Sequence, residues 1–242
     1  MQRVTTRLWQ NYFRHVDPLL KRFSLIGRGP LWRSEALPWL AQLEAAHEQV
    51  NAEFRRYVQS GMSMPDKEDL DPGRTSRYGT DRWELLHLLV YGERMPDVAE
   101  HFPETVKLAE SIVPGMCSIM FSRLPPERHQ IPRHRDAENG TLRIHLGLVV
   151  PEHGACFINV GDATAHWRVG EAFVMDATYE HEVTKEANAE RIVLIVDFYR
   201  PVPGWVAWLT HRLYRRHGGK IAKRVLRASY AKRAQQQQAL VR

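Results

Sequence analysis

Between residues 116 and 200 the chain is a succession of short apolar runs: MCSIMFSRL, TLRIHLGLVV, ACFINV, TAHWRV, EAFVMD and ERIVLIVDFYR. They are rich in β-branched and aromatic residues and are separated by Gly, Pro, Asn and Asp, which predicts six or more strands. So many short strands in so little chain predict a double-sheet barrel of the jelly-roll type, and such barrels take ligands in the mouth. The first half reads differently. Ser34 is placed to cap a helix through EALPWLAQLEAAHEQVNAEFRRYVQ, where Leu40, Leu43, Val50, Phe54, Tyr57 and Val58 recur at helical spacings. Residues 60–80 are polar and turn-rich and read as a long loop. Two short helices are predicted over 82–91 and 103–113. Residues 1–33 are basic and aromatic, with Pro18, Gly27, Gly29 and Pro30 interrupting any long helix.

The expected architecture is therefore α+β, with N-terminal helices packed on a double-stranded β-helix (jelly-roll, cupin-like) barrel. An extension (1–33) precedes one domain (34–201, helices to 113 and barrel from 114), and a basic tail (202–242) follows.

Charge sharpens the view of that tail. Residues 201–242 hold ten Lys+Arg and no Asp or Glu. The other 200 residues then hold 34 − 10 = 24 basic and 28 acidic residues, so the net +6 of the chain belongs to the tail and the body carries −4. Trp205, Trp208, Leu209 and Leu213 share a helical face while Arg212, Arg215 and Arg216 point elsewhere, the make-up of a helix lying in a membrane interface. Two other readings stand beside this one: the Trp/Leu face packs on the body, or the tail binds nucleic acid, which is disfavoured because the body offers no basic patch. The basic N-terminus does not read as a signal peptide, and no stretch approaches the roughly 20 apolar residues of a span. Cys117 and Cys156 lie in apolar runs and read as core thiols in a reducing setting. The location expected is cytoplasmic, with peripheral contact at the inner face of the membrane.

The candidate chemistry centres on His134-Arg135-Asp136. Two residues apart in an extended segment, His134 and Asp136 project to the same side. A third ligand must come from elsewhere, and His181 is the candidate. Two His and one carboxylate leave three positions open on a metal, the arrangement used by non-haem iron(II) oxygenases. Arg191 opens the apolar strand RIVLIVDFY, and a buried guanidinium needs an anion. Each feature has a plainer reading. H-x-D arises by chance, His145 on an apolar strand can be a hydrogen-bonded core residue, and Arg191 can pair with Glu190 or Asp197.

HRDAENGTLRIHLGLVVP, VGEAFVMDATYEHEV and RIVLIVDFYRP together resemble the aspartyl/asparaginyl β-hydroxylase family, and within it are similar to the bacterial lipid A 2-hydroxylases. The resemblance runs from about residue 34 to 201 and is strongest over 116–201. The chain departs from the family between Ser122 and His134, where it is one residue longer. The resemblance implies an iron(II), 2-oxoglutarate and dioxygen-dependent hydroxylase acting on an unactivated C–H. It implies iron ligation by His134 and His181, with Asp136 standing where some animal members have Gly. It implies that Arg191 and Ser122 bind the distal carboxylate of 2-oxoglutarate, that Arg143 and His145 contact its metal-side carboxylate, and that Trp83 lines the same pocket. Substrates suggested in this way are a lipid acyl chain, or an aspartyl or asparaginyl side chain in a peptide or a carrier-bound amino acid. A catalytically silent binding module at the membrane surface is the alternative of another class.

Overall fold

The computed structural model describes residues 17–62, 64–70, 82–136, 140–214, 219–220, 223, 226–227 and 230–231. A 3-10 turn (Asp17–Phe23) leads to strand β1 (Leu31–Trp32), helices α1 (Leu40–Ala45), α2 (His47–Gln59) and α3 (Lys67–Leu70), and strands β2 (Glu84–Val90) and β3 (Glu93–Arg94). Helices α4 (Pro96–Ala99) and α5 (Pro103–Ile112) come next. Eight strands follow: β4 (Met116–Leu124), β5 (Gln130–His134), β6 (Thr141–Val149), β7 (Cys156–Val160), β8 (Ala163–His166), β9 (Ala172–Met175), β10 (His181–Lys185) and β11 (Arg191–Tyr199). Helix α6 (Gly204–Leu213) closes the series.

The strands form a seven-stranded sheet, order β1-β9-β6-β11-β4-β2-β3, and a four-stranded sheet, order β5-β10-β7-β8, with every ladder antiparallel. From β4 to β11 the chain passes back and forth between the two sheets, with one hairpin (β7–β8) inside the smaller, the winding of a jelly roll. β6 and β11 sit at the centre of the larger sheet, buried on both faces along most of their length, which is why their sequences are apolar without alternation. The outer face is covered by α1, α2 and α5, where Phe54 and Phe102 meet Phe121 of β4 at ring-centroid distances of 4.8 and 4.9 Å. Buried Glu53 of α2 accepts from the backbone N–H of Glu104 (3.1 Å) and Thr105 (2.8 Å), satisfying orphan donors at the start of α5.

Several sequence expectations are corrected. The helix expected from Ser34 is two helices: α1 begins only at Leu40, after the turn containing Pro38, with Trp39 rather than Ser34 at its N-cap. The segment 82–91 is not helical; ELLHLLV is strand β2, beside β4, and its unbroken apolar run fits a strand buried on both faces. β5 and β10 are not among the six apolar runs that the sequence picks out, because they are short and half-solvated (only alternate residues are buried in β10). Within the presumed 60–80 loop, α3 buries Leu70, while residues 63 and 71–81 lie outside the described residues. Residues 1–16 of the expected extension lie outside them as well. In α6 the buried residues are Val206 and Thr210, while Trp205, Trp208 and Leu209 are exposed and Leu213 is half-buried, so most of the Trp/Leu face is left uncovered. Farther along the tail, Lys223 pairs with Glu93 (3.0 Å) and the Tyr230 hydroxyl accepts from the His87 N–H (2.9 Å), so these points are held to the body. Both cysteines are free and buried.

Candidate active site

The turn before β10 explains how the metal-ligand candidates are aimed. Asp176 is buried; its carboxylate receives Arg200 Nη2 (2.7 Å) and the Thr178 N–H (3.1 Å), closing an Asx turn over D-A-T-Y. Two carbonyls of this turn then face the site. The Ala177 oxygen accepts the Asp136 N–H (2.9 Å), and the Tyr179 oxygen lies 2.9 Å from His181 Nδ1. On β5, the Pro132 oxygen lies 2.7 Å from His134 Nδ1. A carbonyl only accepts, so Nδ1 of both rings carries the hydrogen and each Nε2 presents its lone pair.

His134 and His181 are direct cross-strand partners in the β5–β10 ladder, with ring centroids 4.1 Å apart. Asp136 joins them, and one ligand atom from each of the three lies within 4.8 Å of the others. Burial and then the neighbouring His134 push the His181 imidazole down to about 4, with Asp136 pulling the other way. Burial would raise the Asp136 carboxyl, but Arg143 and the two imidazoles outweigh it and hold its pKa below the ordinary value. A neutral His181 beside an ionised carboxylate matches what a divalent metal requires, and two His with one carboxylate is a donor set suited to non-haem iron(II).

Arg143, which the resemblance implies at the metal-side carboxylate of 2-oxoglutarate, lies beside the cluster and holds two carboxylates of the protein. Its Nε and Nη2 form a fork on Asp197 of β11 (2.7 and 3.0 Å), directly opposite in register, and Nη1 holds Asp136 Oδ2 at 3.0 Å. The guanidinium is thus engaged in orienting the carboxylate ligand candidate.

A second pole lies on β11, β4 and the residue before β2. Arg191 is buried, 1% exposed; its Nη2 donates to Ser122 Oγ at 3.2 Å, and Ser122 Oγ also accepts Trp83 Nε1 at 3.0 Å. Among the described residues no carboxylate pairs with Arg191, and its Nε has no partner. The neighbours that could have neutralised it are engaged elsewhere: Glu190 takes Arg123 and Asp197 takes Arg143. Burial pushes the guanidinium down to about 10, leaving it charged at neutral pH. A buried cation without an anion is costly, and an incoming carboxylate would relieve the cost.

His145 and Trp167 bridge the poles. The Arg191 guanidinium lies over the Trp167 ring at 4.7 Å, and His145 is 5.8 Å from the same ring and stacked on Phe173 (5.2 Å, 6°). Among the described residues, neither ring nitrogen of buried His145, nor Trp167 Nε1, has a hydrogen-bond partner. Burial first, then the charges of Arg191, Arg143 and His181, hold His145 well below its ordinary pKa, so one neutral ring senses both poles. Unsatisfied buried donors and acceptors between a metal-type cluster and a guanidinium without a carboxylate are groups that a polar, anionic ligand would satisfy. The sequence reading assigns no role to Trp167, although TAHWRV carries an aromatic signal, and none to Asp176 within DATYEH; it offers Asp197 as a partner of Arg191, whereas Asp197 holds Arg143.

Against known proteins, the family model described as Aspartyl/Asparaginyl beta-hydroxylase matches residues 44–201. The chain is similar to the ornithine lipid ester-linked acyl 2-hydroxylase of Rhizobium tropici, with 30% identity over 198 residues, 81% of this chain and 70% of that protein. It is also similar to the aspartyl/asparaginyl beta-hydroxylase of Homo sapiens, 32% identical over 145 residues, which make up 58% of this chain but 18% of that protein. Among solved structures, a Pseudomonas putida prolyl-4-hydroxylase aligns at 15% identity and a TM-score of 0.42, covering 65% of this chain and 88% of that one, a likeness too distant to argue from.

Proposed function

The chain is a hydroxylase belonging to the aspartyl/asparaginyl beta-hydroxylase family, and from that premise we propose that it uses iron(II) and 2-oxoglutarate to hydroxylate the acyl chain of a membrane lipid. The observation that carries the proposal is the convergence of His134, Asp136 and His181, from two strands and a turn, with both imidazoles fixed by carbonyls so that Nε2 faces the cluster.

These three side chains would hold the ion. Arg191, with Ser122 positioned by Trp83, would take the distal carboxylate of the co-substrate, and His145 would donate to its metal-side carboxylate. Arg143, held by the Asp197 fork, would orient Asp136 beside that carboxylate. When bound, iron(II), 2-oxoglutarate and dioxygen supply the oxidant that replaces a C–H hydrogen with hydroxyl, releasing succinate and carbon dioxide. The chain's own tasks are to exclude water around the buried Arg191–Trp167–His145 wall and to fix the substrate carbon over the open metal face.

The lipid assignment draws on the Rhizobium tropici relative, which matches well beyond the barrel. A peripheral contact with the membrane, through the exposed residues of the tail, suits such a substrate; no described helix is long and apolar enough to cross a membrane. Hydroxylation of Asp or Asn side chains is the competing reading and draws on the human relative. The deciding experiment incubates the protein with iron(II), 2-oxoglutarate and air, separately with membrane lipids and with cell peptides, and reads succinate and the gain of one oxygen by mass spectrometry. Oxygen in ester-linked acyl chains, abolished by His181→Ala, is expected. Oxygen in peptides alone would refute the lipid reading, and metal-independent or absent succinate release would return the chain to the silent-module class.

A further inference from the structure

We propose that the N-terminal 3-10 turn and helix α6 together form one preassembled surface that docks on an anionic phospholipid bilayer. Among the described residues eight large hydrophobic side chains are exposed, and six of them belong to these two regions: Leu19, Phe23 and Leu25 on one, Trp205, Trp208 and Leu209 on the other. Their concentration distinguishes them from the scattered apolar residues any surface carries. On α6, positions 205, 208 and 209 share one face, while Val206, Thr210 and Tyr214 face inward.

The two elements are fixed to each other. Phe23 meets Trp205 edge-on at 5.6 Å, the Leu25 N–H donates to the Pro201 oxygen (2.8 Å), and Leu20 shares a small buried cluster with Val202, Val206 and Tyr214. Ordering this cluster on folding leaves Trp205 and Trp208 at 68% and 67% exposure, so the surface is built and uncovered. Trp is the side chain whose amphipathic ring favours the headgroup region.

Charge complementarity selects the partner. Residues 17–33 contain Lys21, Arg22, Arg28 and Arg33 against the single acid Asp17, residues 201–242 lack acids, and the rest of the body is net acidic. Arg22 and Arg28 are exposed, and the Arg212 guanidinium lies over the Trp208 ring at 5.7 Å. Aromatic anchors in predominantly cationic segments fit a negatively charged bilayer.

The surface also adjoins the site. Lys21 Nζ reaches Asp176 Oδ2 (3.3 Å) and lies 4.0 Å over the Tyr179 ring, in the turn whose carbonyls hold Asp136 and His181. Docking through this surface would present the bilayer beside the segment that frames the candidate metal cluster. The proposal deepens the lipid-substrate reading and takes its biological sense from it, but its test involves no turnover, so the two fail separately.

The test is sedimentation of the full chain with vesicles of mixed phosphatidylglycerol and phosphatidylcholine, compared with vesicles of phosphatidylcholine alone, with tryptophan emission recorded in parallel. The wild type is expected to partition onto the anionic vesicles with a blue shift and weakly onto the neutral ones. Trp205→Ala with Trp208→Ala should lower partitioning about tenfold or more, and Trp208→Ala alone, which leaves the Phe23–Trp205 contact in place, should lower it while leaving the unfolding midpoint close to that of the wild type. Arg22→Gln and Arg28→Gln should each cost about fivefold on anionic vesicles only. Failure of the wild type to bind anionic vesicles, or equal binding by the double Trp variant, overturns the proposal. A concentration-dependent dimer that the Trp variant abolishes, without vesicle binding, also overturns it and assigns the surface to a second copy of the chain.

Discussion

Arg191→Met exchanges a buried guanidinium for an apolar side chain of similar reach, and its consequences for stability and for binding have opposite signs. In the ligand-free protein the variant forfeits one hydrogen bond to Ser122, worth about 1 kcal/mol, and the contact over Trp167, worth roughly 1–2 kcal/mol when desolvated. It also removes an ion that is buried with no carboxylate partner among the described residues, a burden of several kcal/mol. The ligand-free fold should therefore be unchanged or more stable by about 1–3 kcal/mol. Binding should suffer instead. A guanidinium donating two charge-assisted bonds to a carboxylate contributes roughly 3–4 kcal/mol, so affinity for 2-oxoglutarate should fall by about 10²–10³-fold. The assay is calorimetric titration of 2-oxoglutarate with manganese(II) replacing iron, together with thermal unfolding. At a ligand concentration about 100 times Kd the wild type gains about 2.7 kcal/mol, and the variant should gain almost none at that concentration. Unimpaired 2-oxoglutarate binding by the variant would refute the reasoning. So would a strong loss of ligand-free stability, because it would mean that the cation is already neutralised inside the fold.

Other expectations follow from the same contacts. Asp197→Asn breaks the fork that holds Arg143, and through it Asp136, so metal affinity measured by competition with a chelator should fall about 10–100-fold while the protein stays folded; unchanged affinity would remove Arg143 from any orienting role. Gly147→Ala would drive a Cβ into the backbone carbonyl of Arg168, where the chain crosses β6 closely, and denaturant unfolding should show a loss of about 2–4 kcal/mol. Burial, with Lys67 and Arg143 nearby, pushes His87 from 6.5 down to about 3. The unfolded chain therefore binds this proton first, and the stability His87 contributes is complete above about pH 6.5 and declines as pH falls toward 3, by at most about 1.4 kcal/mol per pH unit. Urea unfolding of His87→Leu should show a flatter decline over that window; an equal slope would contradict the assignment.

How much of this was legible in the sequence depended on burial. β4, β6 and β11 declare themselves because both faces are covered and every position must be apolar. β2 is equally apolar, and a run with no period to read fits a short buried helix as well as a strand. β5 and β10 carry the two imidazoles, yet their short, half-solvated sequences show no run at all. That His134 and His181 stand opposite each other is a fact of register, which sequence separation does not encode. The need of Arg191 for an anion was readable from its position before an apolar strand. Whether Glu190 or Asp197 met that need was not, because it depended on where Arg123 and Arg143 fell in the neighbouring strands. The Trp face of α6 was visible as a pattern, but its exposure depended on Val206, Thr210 and Tyr214 winning the buried side.

The central claim, that three side chains from two strands and a turn share one divalent ion, is tested most directly by counting metal. Chelator-stripped protein reloaded anaerobically with iron(II) and freed of excess should retain one iron per chain. His134→Ala and His181→Ala should retain little, and 2-oxoglutarate should bind only to the loaded wild type. Stoichiometric iron retained by both variants, or tight metal-independent binding of 2-oxoglutarate, would contradict the account.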